Sequence, residues 1–366
     1  MRKIAHLITG LDVGGAEQTL LDTLPRLQVQ DLRHTVYCVI GHGHIGDKLQ
    51  KMGIPVFYLN YKGWLDLIPM ALRLWRALKS ARPDILVTYL IHADLLGRLM
   101  APLAGINKVI TFRHGALLQW EFLKHVDKMT SFLVTHYVAV SDVLKNKLVN
   151  ELHIPSSKIT VIFNAIDLNK YAPENNEVIK DALNVPAGAL TLGVIANLRK
   201  GKGHHDLLLA FNQLLQKKHS KKLILLIVGG GEERASLEKL TIQLHLTENV
   251  IFTGYRDDIP NILKTIDIFV LPTYFEGKSI ALLEAMAARK PIITTSIPEN
   301  LEILAHNETA LLVPPGNINA LSNALLKLIE QTTLRDRLNK RAYAECAQKY
   351  DINKTVLLFK KILLEL

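Results

Sequence analysis

The chain has 366 residues, more than one hydrophobic core ordinarily organises, so two domains are expected. Apolar residues make up 49% and charged residues 21%, a globular composition that excludes a disordered chain. The net charge of +10 leaves a phosphorylated substrate, an anionic membrane face or simply a Lys-rich surface; nucleic acid is set aside, because no zinc-ligand spacing, aromatic-rich RNA-binding strand or long basic tract occurs.

The first residues, Met1-Arg2-Lys3-Ile4-Ala5-His6-Leu7-Ile8, carry a short apolar run broken by His6 and read as a first strand rather than a signal peptide. Further strands are expected at 35–40, 56–59, 85–90, 109–113, 137–141 and 159–163, with helical patterns between them, among them 16–27, 65–79 and 142–151. The second half repeats the alternation with strands at 190–196, 223–228, 250–253, 266–271 and 292–295, and ends in helices near 334–348 and 354–364. Repeated βα alternation predicts an α/β chain with two parallel sheets covered by helices. The polar, Pro-containing stretch Asp167 to Asn176 is where the linker is placed. The expected domains are therefore 1–170 and 185–350, with a terminal helix at 351–366 packing back on the first. Cys38 and Cys346 are too far apart to form a framework and suggest a reducing, cytoplasmic setting. No apolar stretch approaches the ~18 residues needed to span a bilayer, so any membrane contact is expected to be peripheral. The helix beginning near Trp64, with Leu65, Ile68, Leu72, Arg73, Arg76 and Lys79, either rests on an anionic membrane or packs on its own sheet and shows water its charged face.

Function concentrates at Phe275-Glu276-Gly277-Lys278-Ser279-Ile280-Ala281-Leu282-Leu283-Glu284. A buried strand precedes it, and Ser279 is the expected N-cap of a helix over 280–289. Both carboxylates then stand near a helix N-terminus at the C-terminal end of a parallel strand, where open α/β sheets bind ligands. Free N–H groups there suit phosphate, and carboxylates suit sugar hydroxyls: a nucleotide-sugar site. Glu284 is expected to accept from ribose hydroxyls and Glu276 from the transferred sugar. Asn197-Leu198-Arg199-Lys200-Gly201-Lys202-Gly203-His204 follows another strand and brings cations to a helix start, as a departing diphosphate requires. His204 and His205 read as that helix start rather than a metal pair. Gly14-Gly15 in the first loop allow close backbone approach to a ligand but lack the dinucleotide fingerprint spacing. Gly229-Gly230-Gly231 is either a second close-approach loop or only a turn. His92, Asp94 and His114 follow strand ends; His114 would hold a substrate hydroxyl or be satisfied by neighbouring backbone.

Taken together these blocks resemble the retaining, two-Rossmann-domain glycosyltransferases of family four. The Glu276–Glu284 spacing resembles the family's E-x7-E signature, and the resemblance extends over about 3–315. It rests also on Gly14-Gly15-Ala16-Glu17, Ala139-Val140-Ser141, Val161-Ile162-Phe163-Asn164-Ala165-Ile166-Asp167, Lys202-Gly203-His204, Gly254-Tyr255-Arg256-Asp257-Asp258 and the segment with Glu302. It implies two Rossmann-like domains facing each other across a cleft (GT-B). The N-terminal domain would bind the acceptor and the C-terminal one a UDP- or GDP-sugar donor, with the anomeric configuration retained. It implies Lys202 on the diphosphate, Glu284 on the ribose, Glu276 on the sugar and Gly15 as a backbone contact. Glycan or lipid-linked acceptors of cell-envelope polysaccharide or lipopolysaccharide synthesis are implied by the same likeness. Three positions depart from the family: Asn197 replaces an arginine, Ala165 a glycine, and Ser279 a common proline; Arg199 could serve for the missing arginine. No D-x-D triplet occurs, so no metal and no cofactor are expected, and cations take the metal's role. The rivals are a nucleotide-sugar epimerase on the same fold and a non-catalytic sugar-nucleotide-binding protein.

Overall fold

The structure is a computed structural model describing residues 1–12, 15–28, 31–113, 121–172, 179–217, 221–276 and 279–366. The chain divides into two compact units, Met1–Ala165 with Ile352–Leu366, and Ile166–Asp351.

The first unit is built on strands β1 (Arg2–Ile8), β2 (Leu32–Cys38), β3 (Val56–Tyr58), β4 (Ile85–Tyr89), β5 (Val109–Arg113), β6 (His136–Ala139) and β7 (Ile159–Val161). Between them run helices α1 (Gly15–Leu27), α2 (His44–Lys51), α3 (Leu67–Ala81), α4 (Ile91–Leu103), α5 (Glu121–Thr130) and α6 (Asp142–Leu152). The sheet is parallel throughout, in the order β3-β2-β1-β4-β5-β6-β7. Its strands are apolar on both faces, and the pleat sorts them into two cores. Ile4, Ile8, Val36, Ile85 and Val87 face one cluster with Leu20, Leu24 and Leu148. Ala5, Leu7, Tyr37 and Leu86 face the other, with Met70, Leu74 and Leu78 of α3.

The second unit holds β8 (Leu190–Ile195), α7 (His204–Leu215), β9 (Leu223–Val228), α8 (Arg234–Gln243), β10 (Val250–Gly254), α9 (Ile259–Thr265), β11 (Ile268–Leu271) and α10 (Ile280–Ala287). It continues through β12 (Ile292–Thr295), α11 (Pro298–Leu301), β13 (Leu311–Val313), α12 (Ile318–Glu330) and α13 (Thr332–Lys349). This sheet is also parallel, in the order β10-β9-β8-β11-β12-β13. The order reverses between β8 and β11, so the loops leaving those two strands flank the switch point, where such sheets bind ligands.

The last helix, α14 (Ile352–Glu365), belongs to the first unit. Phe359 meets Phe112 edge-on at 5.5 Å, and Arg2 Nη1 donates to the Leu363 carbonyl at 2.7 Å.

Three expectations shift. The division falls between Ala165 and Ile166 rather than within the polar stretch that follows, and residues 166–172 pack with the second unit. The strand expected from 266 begins at Ile268, because Ile266 ends α9 and the Asp267 carboxylate accepts from the Thr191 amide. The three-residue β13 was not among the expected strands, although Ala310-Leu311-Leu312-Val313 is a short apolar run between polar turns.

The first unit also buries a line of polar rings. His34 Nε2 meets the Leu27 carbonyl at 3.3 Å, His34 Nδ1 meets His6 Nε2 at 2.9 Å, and His6 Nδ1 meets the Tyr89 hydroxyl at 3.0 Å. A carbonyl only accepts, so both imidazoles are neutral with hydrogen on Nε2, and Tyr89 donates at the far end. Burial lowers the His34 pKa to about 4 and that of His6 well below its usual value, with His34 adding to the latter.

Candidate active site

The site is assembled where β8 and β11 end. The β8–α7 loop turns back through Arg199 and Gly201, and the β11–α10 loop lies against it. Gly201 is the hinge of that contact: its carbonyl accepts from the Tyr274 amide at 2.8 Å and the Thr273 hydroxyl at 3.2 Å. Gly203, with φ +75°, caps α7, and a Cβ there would run into the Pro272 carbonyl. Only glycine serves at that position. Thr273 is anchored further, its carbonyl accepting from Thr295 Oγ1 at 2.5 Å. Tyr274 reaches across to α7, where its hydroxyl donates to Asp206 at 2.5 Å.

This knitting brings Lys202 and Glu276 together. Lys202 Nζ donates to Glu276 Oε1 at 2.6 Å, with 9% and 11% of the two side chains exposed. The first turn of α7 opens beside Lys202, and its N–H groups have no acceptor one turn back. His204, first residue of that helix, is buried with Nε2 unpartnered among the described residues; burial, then the Lys202 charge, lowers its pKa to about 4. A neutral imidazole thus stands next to the lysine.

Ser279 caps α10, its Oγ accepting from the Leu282 amide at 3.4 Å. Ile280 and Ala281 form the first turn, and Glu284 follows one turn in. Glu284 Oε1 accepts from the Tyr171 hydroxyl at 2.6 Å. Tyr171 ends a short 3-10 turn, Leu168–Tyr171, in the stretch read as linker, so nothing marked it beforehand. The Asn197 and Arg199 side chains are exposed, and Arg199 pairs with neither Glu276 nor Glu284. Gly229, after β9, donates its amide to the carbonyl of Gly254 at the end of β10 at 2.9 Å, and the exposed Tyr255 follows. Gly15 opens α1. Gly14, His114, Gly277 and Lys278 lie outside the described residues.

Asp94 is not a ligand-facing group. It is buried, and Arg98 holds it at 2.9 and 2.5 Å while Thr88 and Thr111 donate to it at 2.8 and 2.7 Å. Arg98 also meets Asp127 at 2.7 Å, and Arg113 meets Asp127 at 2.5 Å. Two arginines and two aspartates thus neutralise one another inside the first unit. His92 stays exposed on α4.

Among known proteins, residues 13–170 match the family described as Glycosyltransferase Family 4, and residues 175–345 match Glycosyl transferases group 1. An Escherichia coli UDP-Gal:alpha-D-GlcNAc-diphosphoundecaprenol alpha-1,3-galactosyltransferase is 25% identical over 377 residues, covering 100% of this chain and 97% of that protein. The Staphylococcus aureus capsular polysaccharide biosynthesis glycosyltransferase CapM is 26% identical, over 62% of this chain and 60% of its own. Of solved structures, Anabaena Alr3699/HepE in complex with UDP has TM-score 0.86 at 21% identity, covering 100% of both chains. With two Rossmann-like sheets and both domain matches in chain order, the protein belongs to the GT-B glycosyltransferases of the family-4 type, hexosyl-transferring enzymes.

Proposed function

We propose that the protein is a retaining glycosyltransferase that moves a sugar from a nucleoside-diphosphate donor to a glycan or lipid-linked acceptor in cell-envelope polysaccharide synthesis. The Lys202–Glu276 pair at the strand switch point, beside the α7 N-terminus, carries this reading. The relatives named for undecaprenyl-diphosphate and capsular products support the acceptor class. UDP is favoured over GDP by the UDP-Gal relative and the UDP-bound neighbour. The two buried free cysteines fit a cytoplasmic enzyme.

In this reading the ligand-free pair is a placeholder. The incoming diphosphate takes Lys202, and Glu276, released, accepts from sugar hydroxyls. Glu284 accepts from the ribose. The bond from the anomeric carbon to the diphosphate oxygen breaks while the acceptor oxygen attacks from the same face. The acceptor's proton passes to the departing phosphate oxygen. Lys202, Arg199 and the α7 N–H groups stabilise the charge that develops there, the task a metal performs in other transferases.

The test is thermal stabilisation by UDP, GDP, ADP and dTDP in the wild type and in Glu284→Ala, followed by a turnover assay. A rise in melting temperature with one diphosphate that Glu284→Ala removes supports the donor site and identifies the base. Sugar product formed without any acceptor would make the protein an epimerase, and binding without turnover would make it a sensor.

A further inference from the structure

At the edge of the second sheet opposite the candidate site, three lysines gather around one carboxylate. Ala189, Asp267 and Pro291 lead directly into β8, β11 and β12, so they mark the N-terminal ends of those parallel strands. Lys290 comes just before Pro291, past the end of α10. Arg289 turns the chain there with φ +55°, and the Lys290 amide donates to the Ala285 carbonyl at 2.9 Å. Lys290 Nζ then donates to the carbonyl of Lys264, in the last turn of α9, at 3.3 Å. Lys180 arrives from the other side. The Ile179 amide donates to Thr265 Oγ1 at 3.0 Å, and Lys180 Nζ donates to the Ala189 carbonyl at 3.2 Å and stands 3.9 Å from Asp267 Oδ2. That oxygen also accepts from the Thr191 amide at 2.8 Å. Lys180, Lys264, Asp267 and Lys290 are all half-buried.

Three cations thus share one acid, and the acid is already engaged by Lys180 and a backbone amide. Among the described residues no carboxylate lies within ion-pair distance of Lys290, whose polar contact is a carbonyl. Burial lowers the Lys290 ammonium from 10.5 to about 8; Asp267 opposes the change, and Lys264 and Lys180 add to it. Near neutral pH roughly a tenth of such side chains carry a free amine, against well under a hundredth for a lysine in water. A desolvated lysine beside other cations is the arrangement that makes an amine nucleophilic. The surplus positive charge selects the electrophile. The neighbouring ammonium groups belong to the same small cluster, so they favour a reagent whose negative charge adjoins its reacting carbon. An acyl phosphate has that form, whereas a thioester keeps its charge on a distant part of its carrier.

We infer that Lys290 is a site of Nζ-acylation by acyl phosphates, with Lys180 and Lys264 as the seat for the phosphate. The Nζ lone pair attacks the acyl carbon, and the bond from that carbon to the phosphate oxygen breaks. Inorganic phosphate leaves with the bonding pair, the nitrogen gives up one proton to water, and an amide remains. The product keeps an N–H for the Lys264 carbonyl but loses its charge, so the cluster passes from three cations around Asp267 to two. The inference goes beyond the transferase reading and does not depend on it, because the reaction requires no donor sugar, acceptor or turnover.

The experiment incubates the full-length protein with acetyl phosphate near neutral pH and follows acetylation of each lysine over time by peptide mass spectrometry. Lys290 is expected to react about tenfold faster than the exposed Lys51 and Lys327, its larger amine fraction outweighing its lower basicity and partial burial. Added inorganic phosphate is expected to slow Lys290 and leave Lys51 and Lys327 unchanged. In Lys180→Gln, acetylation of Lys290 by acetyl phosphate is expected to fall about fivefold further than acetylation by the uncharged reagent p-nitrophenyl acetate. A rate at Lys290 no higher than at Lys51 overturns the inference. So does inorganic phosphate that fails to compete at Lys290, or an equal loss with both reagents in Lys180→Gln.

Discussion

The two units each hold close ion pairs between charged side chains that are mostly withdrawn from water, and they differ in how many groups take part. In the first unit, Asp94, Arg98, Asp127 and Arg113 form a network in which the carboxylates are met by guanidinium or hydroxyl donors. In the second, Lys202 and Glu276 form a two-member contact at the mouth of a parallel sheet, beside an open helix start. A four-member network, in which only Arg113 Nε lacks a partner among the described residues, holds a fold together, whereas a two-member contact at a switch point can be exchanged for a ligand. Burial alone does not separate structure from function; the place of the pair at the sheet's switch point does.

The strongest way to break this contrast is Arg98→Met. It leaves two buried carboxylates short of partners and is expected to cost about 3–5 kcal/mol of unfolding free energy. Urea denaturation followed by circular dichroism checks it, and an unchanged midpoint would mean that the network does not hold the first unit. Lys202→Ala should do the reverse. Transfer rate is expected to fall about 10²–10³-fold, while the melting temperature moves far less than in the Arg98 variant. A full transfer rate with unchanged donor KM would remove Lys202 from the leaving-group role.

The neutral rings of the first unit set a pH response of the same sign as that of His204 beside Lys202. His34 titrates near 4 in the folded state and near 6.5 when unfolded, so between those values the unfolded chain holds the extra proton. Stability is then full above about pH 6.5 and declines as pH falls towards 4, and His6 carries the decline lower. Denaturation midpoints at pH 8, 6 and 5 measure the slope, and His34→Gln should flatten it. The smallest expected effect sharpens the donor side. Tyr171→Phe removes one hydrogen bond to Glu284, worth about 1 kcal/mol, and should weaken UDP binding about fivefold with kcat unchanged. Tighter binding in this variant would mean that Tyr171 competes with the ribose instead of positioning the carboxylate.

Much of the fold was legible because parallel strands buried on both faces read as short apolar runs, as in Leu223–Val228. The cap at Ser279 and the helix carrying Glu284 were legible for the same local reasons. What escaped depends on distance along the chain. Asp94 was noted only for its place after a strand end, and although Arg98 four residues on was a readable helical partner, Asp127 was not. Tyr171 lay in a polar stretch whose composition resembles a linker, and only the fold brings it to Glu284. The membrane reading of the Trp64 helix was open from sequence, since amphipathic spacing does not say which apolar stripe the sheet has already covered.

The assignment of α14 to the first unit bears on how the chain is made. Residues 166–351 form a continuous stretch and can fold as soon as they leave the ribosome. The first unit has all its strands by Val161, but it lacks a helix of its own core until residues 352–366 emerge. The half synthesised first is therefore the half finished last, and in the interval Phe112 is without its Phe359 neighbour.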